Sequence, residues 1–176
     1  MAFKSSLKVN TKNLRDVKRT LNKLNKTEVE FGWINKKVYP TSDKNGRGGI
    51  PVAEIAARNE YGGYIQNSVT GEYHYIPSRP YLQQAVQMCK QFNALESEAL
   101  FHRVLHNLPY QGILHGMAET NAKFVKKSID MQNMTPLKEK TINIKGGSQQ
   151  WNDTGFLMKN ITGKVIYKRS GYKGDK

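Results

Sequence analysis

His102 and His106 stand four residues apart, the spacing at which one helix face can offer two imidazoles to a zinc ion. The pattern goes no further, because Arg103 occupies the place where an HExxH zinc hydrolase carries its glutamate and His115 lies beyond Pro109. Cys89 is the only cysteine, so neither an internal disulfide nor a cysteine cage for zinc can form. The glycines of NGRGG follow neither the phosphate-loop nor the dinucleotide-binding spacing, and there is no GxSxG elbow. Carboxylates are few and scattered. A general acid and base would have to be assembled by the fold from residues such as Glu60, Glu72 and Asp153. The chain therefore reads as a non-enzyme, with no catalytic residue, no metal and no cofactor expected.

What remains is charge. The 28 Lys and Arg against 14 Asp and Glu leave a formal +14 on 176 residues, a field that attracts nucleic acid, anionic lipid or acidic protein. Residues 1–26 carry Lys4, Lys8, Lys12, Arg15, Lys18, Arg19, Lys23 and Lys26 against Asp16 alone. The other end carries Lys159, Lys164, Lys168, Arg169, Lys173 and Lys176 against Asp175. Over 50–121 the balance reverses, with six glutamates against Arg58, Arg79, Lys90 and Arg103. Two binding faces would produce this segregation, and so would solvated basic tails. No apolar run reaches the roughly 18 residues of a membrane span, and the first residues lack the apolar stretch of a secretory signal, so no membrane association is expected. A lone cysteine fits a reducing compartment.

The apolar content, 38% of residues with 10% aromatic, is enough for a folded core. We expect one α+β domain over 1–168 with a basic flexible tail at 169–176. Leu14, Val17, Leu21 and Leu24, behind a Thr11 cap, predict an amphipathic helix lying on a sheet with its basic side outward. Val29, Phe31 and Trp33 alternate with Glu28, Glu30 and Gly32 and predict a strand. Residues 39–49, dense in turn formers, read as a mobile loop presenting Lys44 and Arg47. A short helix follows from Pro51 to the Gly62-Gly63 stop, then a hairpin around Tyr73 and Tyr75.

A helical pattern begins near Pro80 and runs to Pro109, with Asn93 an undecided break. A second long helix spans 111–131, with Leu114, Met117, Ala118, Asn121, Val125 and Ile129 on its buried stripe. The last fifth reads as a short helix over 137–145, a helical turn within DTGFLMKN and a strand over 161–167.

Two segments look more punctuated than packing requires. In VAEIAARNEYGG and IPSRPYL, a helix ends at Asn59, Glu60, Tyr61 and Gly62, and Arg79 at the start of the long helix is placed to pair with Glu60. In TPLKEKTINIK and WNDTGFLMKNITGKV, Asp153 or Thr154 can cap the turn that buries Phe156 and Leu157.

Taken in this order, the segments resemble the tail-completion and neck proteins of long-tailed bacteriophages, a family of virion morphogenesis proteins. The family's Gly-aromatic strand is matched by Gly32 and Trp33, its Asn-Glu-aromatic-Gly helix end by 59–62, and its Ile-Pro-x-Arg-Pro-aromatic-Leu by 76–82. Its second half is matched by Pro136, Leu137, Thr141, Ile142, Lys145 and 153–157. The chain departs in its longer hairpin and in Trp151-Asn152 before the aspartate.

The resemblance implies an α+β fold, a small mostly antiparallel sheet with a long helix and shorter helices on one side. It also implies a structural virion protein that forms a ring at the head-to-tail junction, made in the host cytoplasm. Its partners would be further copies, adjacent neck, tail-terminator or tail-tube proteins, and DNA passing through. Asn59, Glu60, Tyr61, Arg79, Asp153, Lys44, Arg47, Lys168 and Arg169 are the contact candidates. The alternative is a basic nucleic-acid-binding module in which the first helix and the tail track phosphates.

Overall fold

A strand whose large side chains all point one way needs a partner and a cover, and this chain supplies both from its far end. The computed structural model describes residues 11–43, 47–66, 71–131, 133, 135–139, 142–143 and 155–168. The elements in order are α1 (Thr11–Leu24), β1 (Thr27–Gly32), α2 (Val52–Tyr61), β2 (Gly63–Gln66), β3 (Tyr73–Ile76), α3 (Tyr81–Leu105), α4 (Gln111–Asp130), α5 (Phe156–Lys159) and β4 (Thr162–Tyr167).

β1 pairs antiparallel with β4, Val29 opposite Val165 and Glu30 opposite Lys164. Because side chains alternate, Val29, Phe31 and Val165 share the face turned to the helices, while Lys164 meets Glu30 at 3.3 Å and Lys168 meets Glu28 on the other. The fold is α+β, as the resemblance implies. The strands form two separate two-stranded ladders, β1–β4 and β2–β3, and two long helices rather than one dominate the molecule.

α3 runs unbroken through Asn93 and packs along α4, which is also the element that the β1–β4 ladder covers. The stripe expected on α4 is buried as read, with Ala122 and Ser128 added. The core gathers Val52 and Ala56 from α2, Tyr81 and Ala85 from α3, Ala122, Val125 and Ile129 from α4, and Leu157 and Ile161 around α5. Trp33 closes it, its ring edge-on to Tyr81 at 5.3 Å and its Nε1 donating to the Leu157 carbonyl at 2.8 Å.

Two expectations are corrected. α1 does not lie on a sheet: it leans on the C-terminal part of α3 and the start of β1, and Asn107 of the α3–α4 connection donates to Asn13. Its apolar stripe is thinly covered, and Leu14 stays 64% exposed. The loop over 39–49 is pinned rather than mobile in its described residues. Tyr39 is buried and exchanges backbone hydrogen bonds with Ile50 and Gly49, and Val38 bridges Pro51. Of the helix read over 137–145, the described residues 139, 142 and 143 are helical and the Ile142 amide donates to the Lys138 carbonyl at 3.1 Å, while the caps Asp153 and Thr154, Lys44 and 169–176 lie outside the described residues.

β4 lies almost in backbone contact with α4, because Gly163 has no side chain and a Cβ there would run into the Ala118 carbonyl. Helix and strand would have to separate to admit one methyl group. We expect Gly163→Ala to destabilise the fold by about 3 kcal/mol, read as a lowered urea midpoint, and Lys164→Ala next to it by under about 1 kcal/mol. Cys89 is buried on α3, and burial pushes its thiol pKa up, so thiolate is scarcer at pH 8 than on a free cysteine. Iodoacetamide should label it at pH 8 at the rate of transient opening, and rapidly once urea has unfolded the chain.

Candidate interaction surfaces

The punctuated motif of residues 59–82 proves to be a joint. α2 ends where Gly62, at φ 68°, turns back beneath the β2–β3 hairpin, and a Cβ there would stand 2.5 Å from the Ser78 nitrogen. The Ser78 hydroxyl donates to the Glu60 carbonyl at 2.6 Å, and the Arg79 amide donates to the Asn59 carbonyl at 2.9 Å. Asn59 uses its side-chain amide on the Ile55 carbonyl.

α3 begins after Pro80, which offers no side-chain cap. The Glu60 carboxylate takes that role from outside, accepting the amides of Leu82 at 2.9 Å and Gln83 at 3.2 Å. Two free donors and the positive end of a 25-residue helix are thereby satisfied by one buried anion.

The expected Arg79–Glu60 pair is therefore not made. Arg79 points away and its Nε donates to the Thr135 carbonyl at 3.2 Å. Burial lowers its pKa, although a guanidinium stays charged at neutral pH. Tyr81 completes the joint, donating its hydroxyl to Ala56 at 2.7 Å and accepting the Ser128 hydroxyl on its backbone carbonyl at 2.8 Å. Burial foremost, then the negative Glu60 nearby and Tyr61, raise its phenol pKa, so it remains a donor.

Of the contact candidates at the joint, Glu60 and Arg79 are thus buried, Asn59 is half-buried and Tyr61 is open, at 75% exposure. Arg47 is held within its own loop, paired through two nitrogens with Asp43 at 2.8 and 2.9 Å and lying 4.5 Å over the Tyr39 ring. Lys168 pairs with Glu28 across the ladder. Lys44, Asp153 and Arg169 lie outside the described residues. The His102 and His106 rings lie 4.5 Å apart, and among the described residues no three His, Cys, Asp or Glu come together as metal ligands.

Two surfaces that the motifs did not single out are the most open. The β2–β3 hairpin stands away from the core, with neither strand packing extensively on another element. The register puts Tyr64 opposite Tyr75 and Gln66 opposite Tyr73, so three tyrosines share one face, and Tyr64 is 74% exposed. The Tyr64 and Tyr75 rings meet at a tilt, their centroids 5.3 Å apart, while Ile65 and Ile76 occupy the opposite face. The second is an open cleft of about 560 Å³ between α3 and α4, lined by Phe92, Glu96, Arg103, Pro109, Ile113 and the glycines 112 and 116. The alternation of Tyr73 and Tyr75 was visible in the sequence, but which face met solvent was not.

Glu60 and Tyr61 are neighbours in sequence with opposite roles, and this can be measured. Glu60→Ala should lower the unfolding free energy by about 2–3 kcal/mol in urea denaturation, since it strands two amide donors. Tyr61→Ala should leave it within about 0.5 kcal/mol. Comparison with protein-family models, with curated proteins and with solved structures gives no match for this chain.

Proposed function

We propose that this chain is a structural protein that assembles through copies of itself, and that it serves as a tail-completion or neck component at the head-to-tail junction of a tailed bacteriophage. The sequence resemblance supports the virion assignment. The observation that carries the assembly reading is the hairpin, an exposed tyrosine face on an arm whose base is fixed by the Glu60–Ser78–Arg79 joint.

A two-stranded ladder is marginal in water unless a further surface covers it. Tyrosines provide large, stiff, amphipathic contact area, which is why they concentrate in interfaces. The arm and the α3–α4 cleft are different patches on the same molecule. A contact that seats one in the other is heterologous, the kind that closes into rings when the rotation between copies allows it. The cleft suits the arm, since its lining offers Phe92, Pro109 and Ile113 to the rings and Glu96 and Arg103 to the hydroxyls. In this reading the protein is not an enzyme, and its work is done in the virion by contacts to adjacent neck and tail proteins.

The test is mass by light scattering at about 50 mM and 500 mM salt, followed by addition to purified tails that lack this protein. A closed multimer stable at both salts, or a monomer that joins the tails, is the expected result. A monomer that joins neither overturns the reading. Tyr64→Ser with Tyr75→Ser should reduce the multimer to monomers by at least tenfold in association constant while leaving the urea midpoint in place, because both side chains are exposed in the single copy.

A further inference from the structure

Five cations of α1 and its following turn fall on one line. Arg15, Lys18, Arg19, Asn22, Lys23 and Lys26 together border one shallow trough of about 420 Å³ on the outer side of the helix. The turn that follows keeps Lys26 in this line, its amide bonded to the Lys23 carbonyl at 3.0 Å. Asp16 is the one acid in α1, and it reaches Arg19 at 3.8 Å with both side chains in solvent. No carboxylate of the described residues pairs with Arg15, Lys18, Lys23 or Lys26.

As a free-standing helix this arrangement is self-defeating. Arg15 with Arg19 and Arg19 with Lys23 are like charges four apart, each of which weakens a helix, and the first turn holds no acid to complement the dipole. Nothing among the described residues relieves the repulsion, and α1 has little packing to offset it. A partner of opposite charge would.

We infer that the outer face of α1 is a binding site for the phosphate backbone of duplex nucleic acid, independent of base sequence. The inference goes beyond the assembly reading and does not need it. From residue 15 to residue 26 the line extends roughly 16 Å at 1.5 Å per residue. A duplex carries one phosphate charge per roughly 1.7 Å of axis with both strands counted, so several phosphates fall within reach of that length. Five cations and one neutral amide donor face them.

No aromatic side chain borders the trough, which removes the stacking platform a single strand requires. In a second copy Glu60 is buried as a helix cap and Glu54 is paired with Arg58 at 2.5 Å, while Glu98 and Glu119 are exposed, so a second copy seated through those two is the competing occupant, and loss of the multimer in the α1 variant would point to it. An anionic bilayer would need the apolar side of α1 inserted; Val17 and Leu24 on that side are half-buried and Leu14 is open, so vesicle binding is the outcome that separates this case.

The experiment is fluorescence anisotropy of a labelled 20-base-pair duplex of arbitrary sequence, titrated with the full chain over a range of KCl. Arg15→Gln, Arg19→Gln and Lys23→Gln combined should weaken binding at least tenfold and lower the salt slope by about 2.7, at 0.9 for each phosphate that is no longer neutralised. Lys90→Gln, Lys123→Gln and Lys127→Gln combined remove the same charge from α3 and α4 and should change affinity less than threefold. Glutamine preserves helix propensity, and unchanged far-ultraviolet circular dichroism would show that α1 persists.

Equal losses in the two triple variants would overturn the site by making the attraction a property of net charge or of the chain ends. So would absence of duplex binding, or tighter α1-dependent binding to vesicles of anionic lipid. Light scattering on the α1 variant separates the two readings. A multimer that no longer binds duplex keeps assembly and this site distinct, and a multimer of the parent chain that never bound duplex removes this inference alone.

Discussion

Tyr81 is the residue through which most of the fold communicates. It is fully buried, its ring meets Trp33 just beyond β1, its hydroxyl binds α2 at Ala56, and its carbonyl holds Ser128 of α4. A phenol in that position cannot be left without an acceptor, because stranding a buried hydroxyl costs as much as the packing of a small side chain gains. The distance from α2 to α3 is therefore set to within hydrogen-bond tolerance. The Glu60 carboxylate fixes the same pair of helices a turn away by capping α3.

The consequences run outward from that node. With α2 and α3 locked, the chain between them has nowhere to go but away from the core, and it emerges as a hairpin on a rigid base. The motif that looked like a contact surface is the mounting of the hairpin, whose tyrosine face is open. The separation is physically sensible. A projecting arm can present tyrosines to a neighbour without loss of its own fold only if the residues at its root are held by interactions that the neighbour does not share.

Charge and packing are also kept apart. The ion pairs of the β1–β4 ladder are matched across strands, and Arg47 is matched to Asp43, whereas four of the five cations bordering the α1 trough have no carboxylate partner among the described residues. Exposed pairs contribute little to stability, so a protein with +14 gains little by arranging them. What the arrangement does control is where cations stand without a partner among the described residues, and α1, a helix with a thin attachment to the core, is such a place.

Local periodicity determined much of this fold before any tertiary contact. The α4 stripe from Leu114 to Ile129, the β1 alternation of Val29 and Phe31, and the stop at Gly62 and Gly63 are written in spacings of a few residues, and each stands as the sequence predicts. The pairing of β1 with β4 was not legible, since strands at opposite ends of the chain carry no mark of each other. Nor was the fate of charged residues, because Glu60 and Arg47 look like surface groups until a helix end or an aspartate is brought beside them. The hairpin makes the same point in reverse. Its tyrosines alternate as a buried strand would, and they stay in solvent only because no element of the described residues covers them. The sequence by itself determined the elements and the sign of the field. Tertiary structure decided which polar groups are fixed in the interior and which faces remain open, because burial depends on what else in the chain arrives.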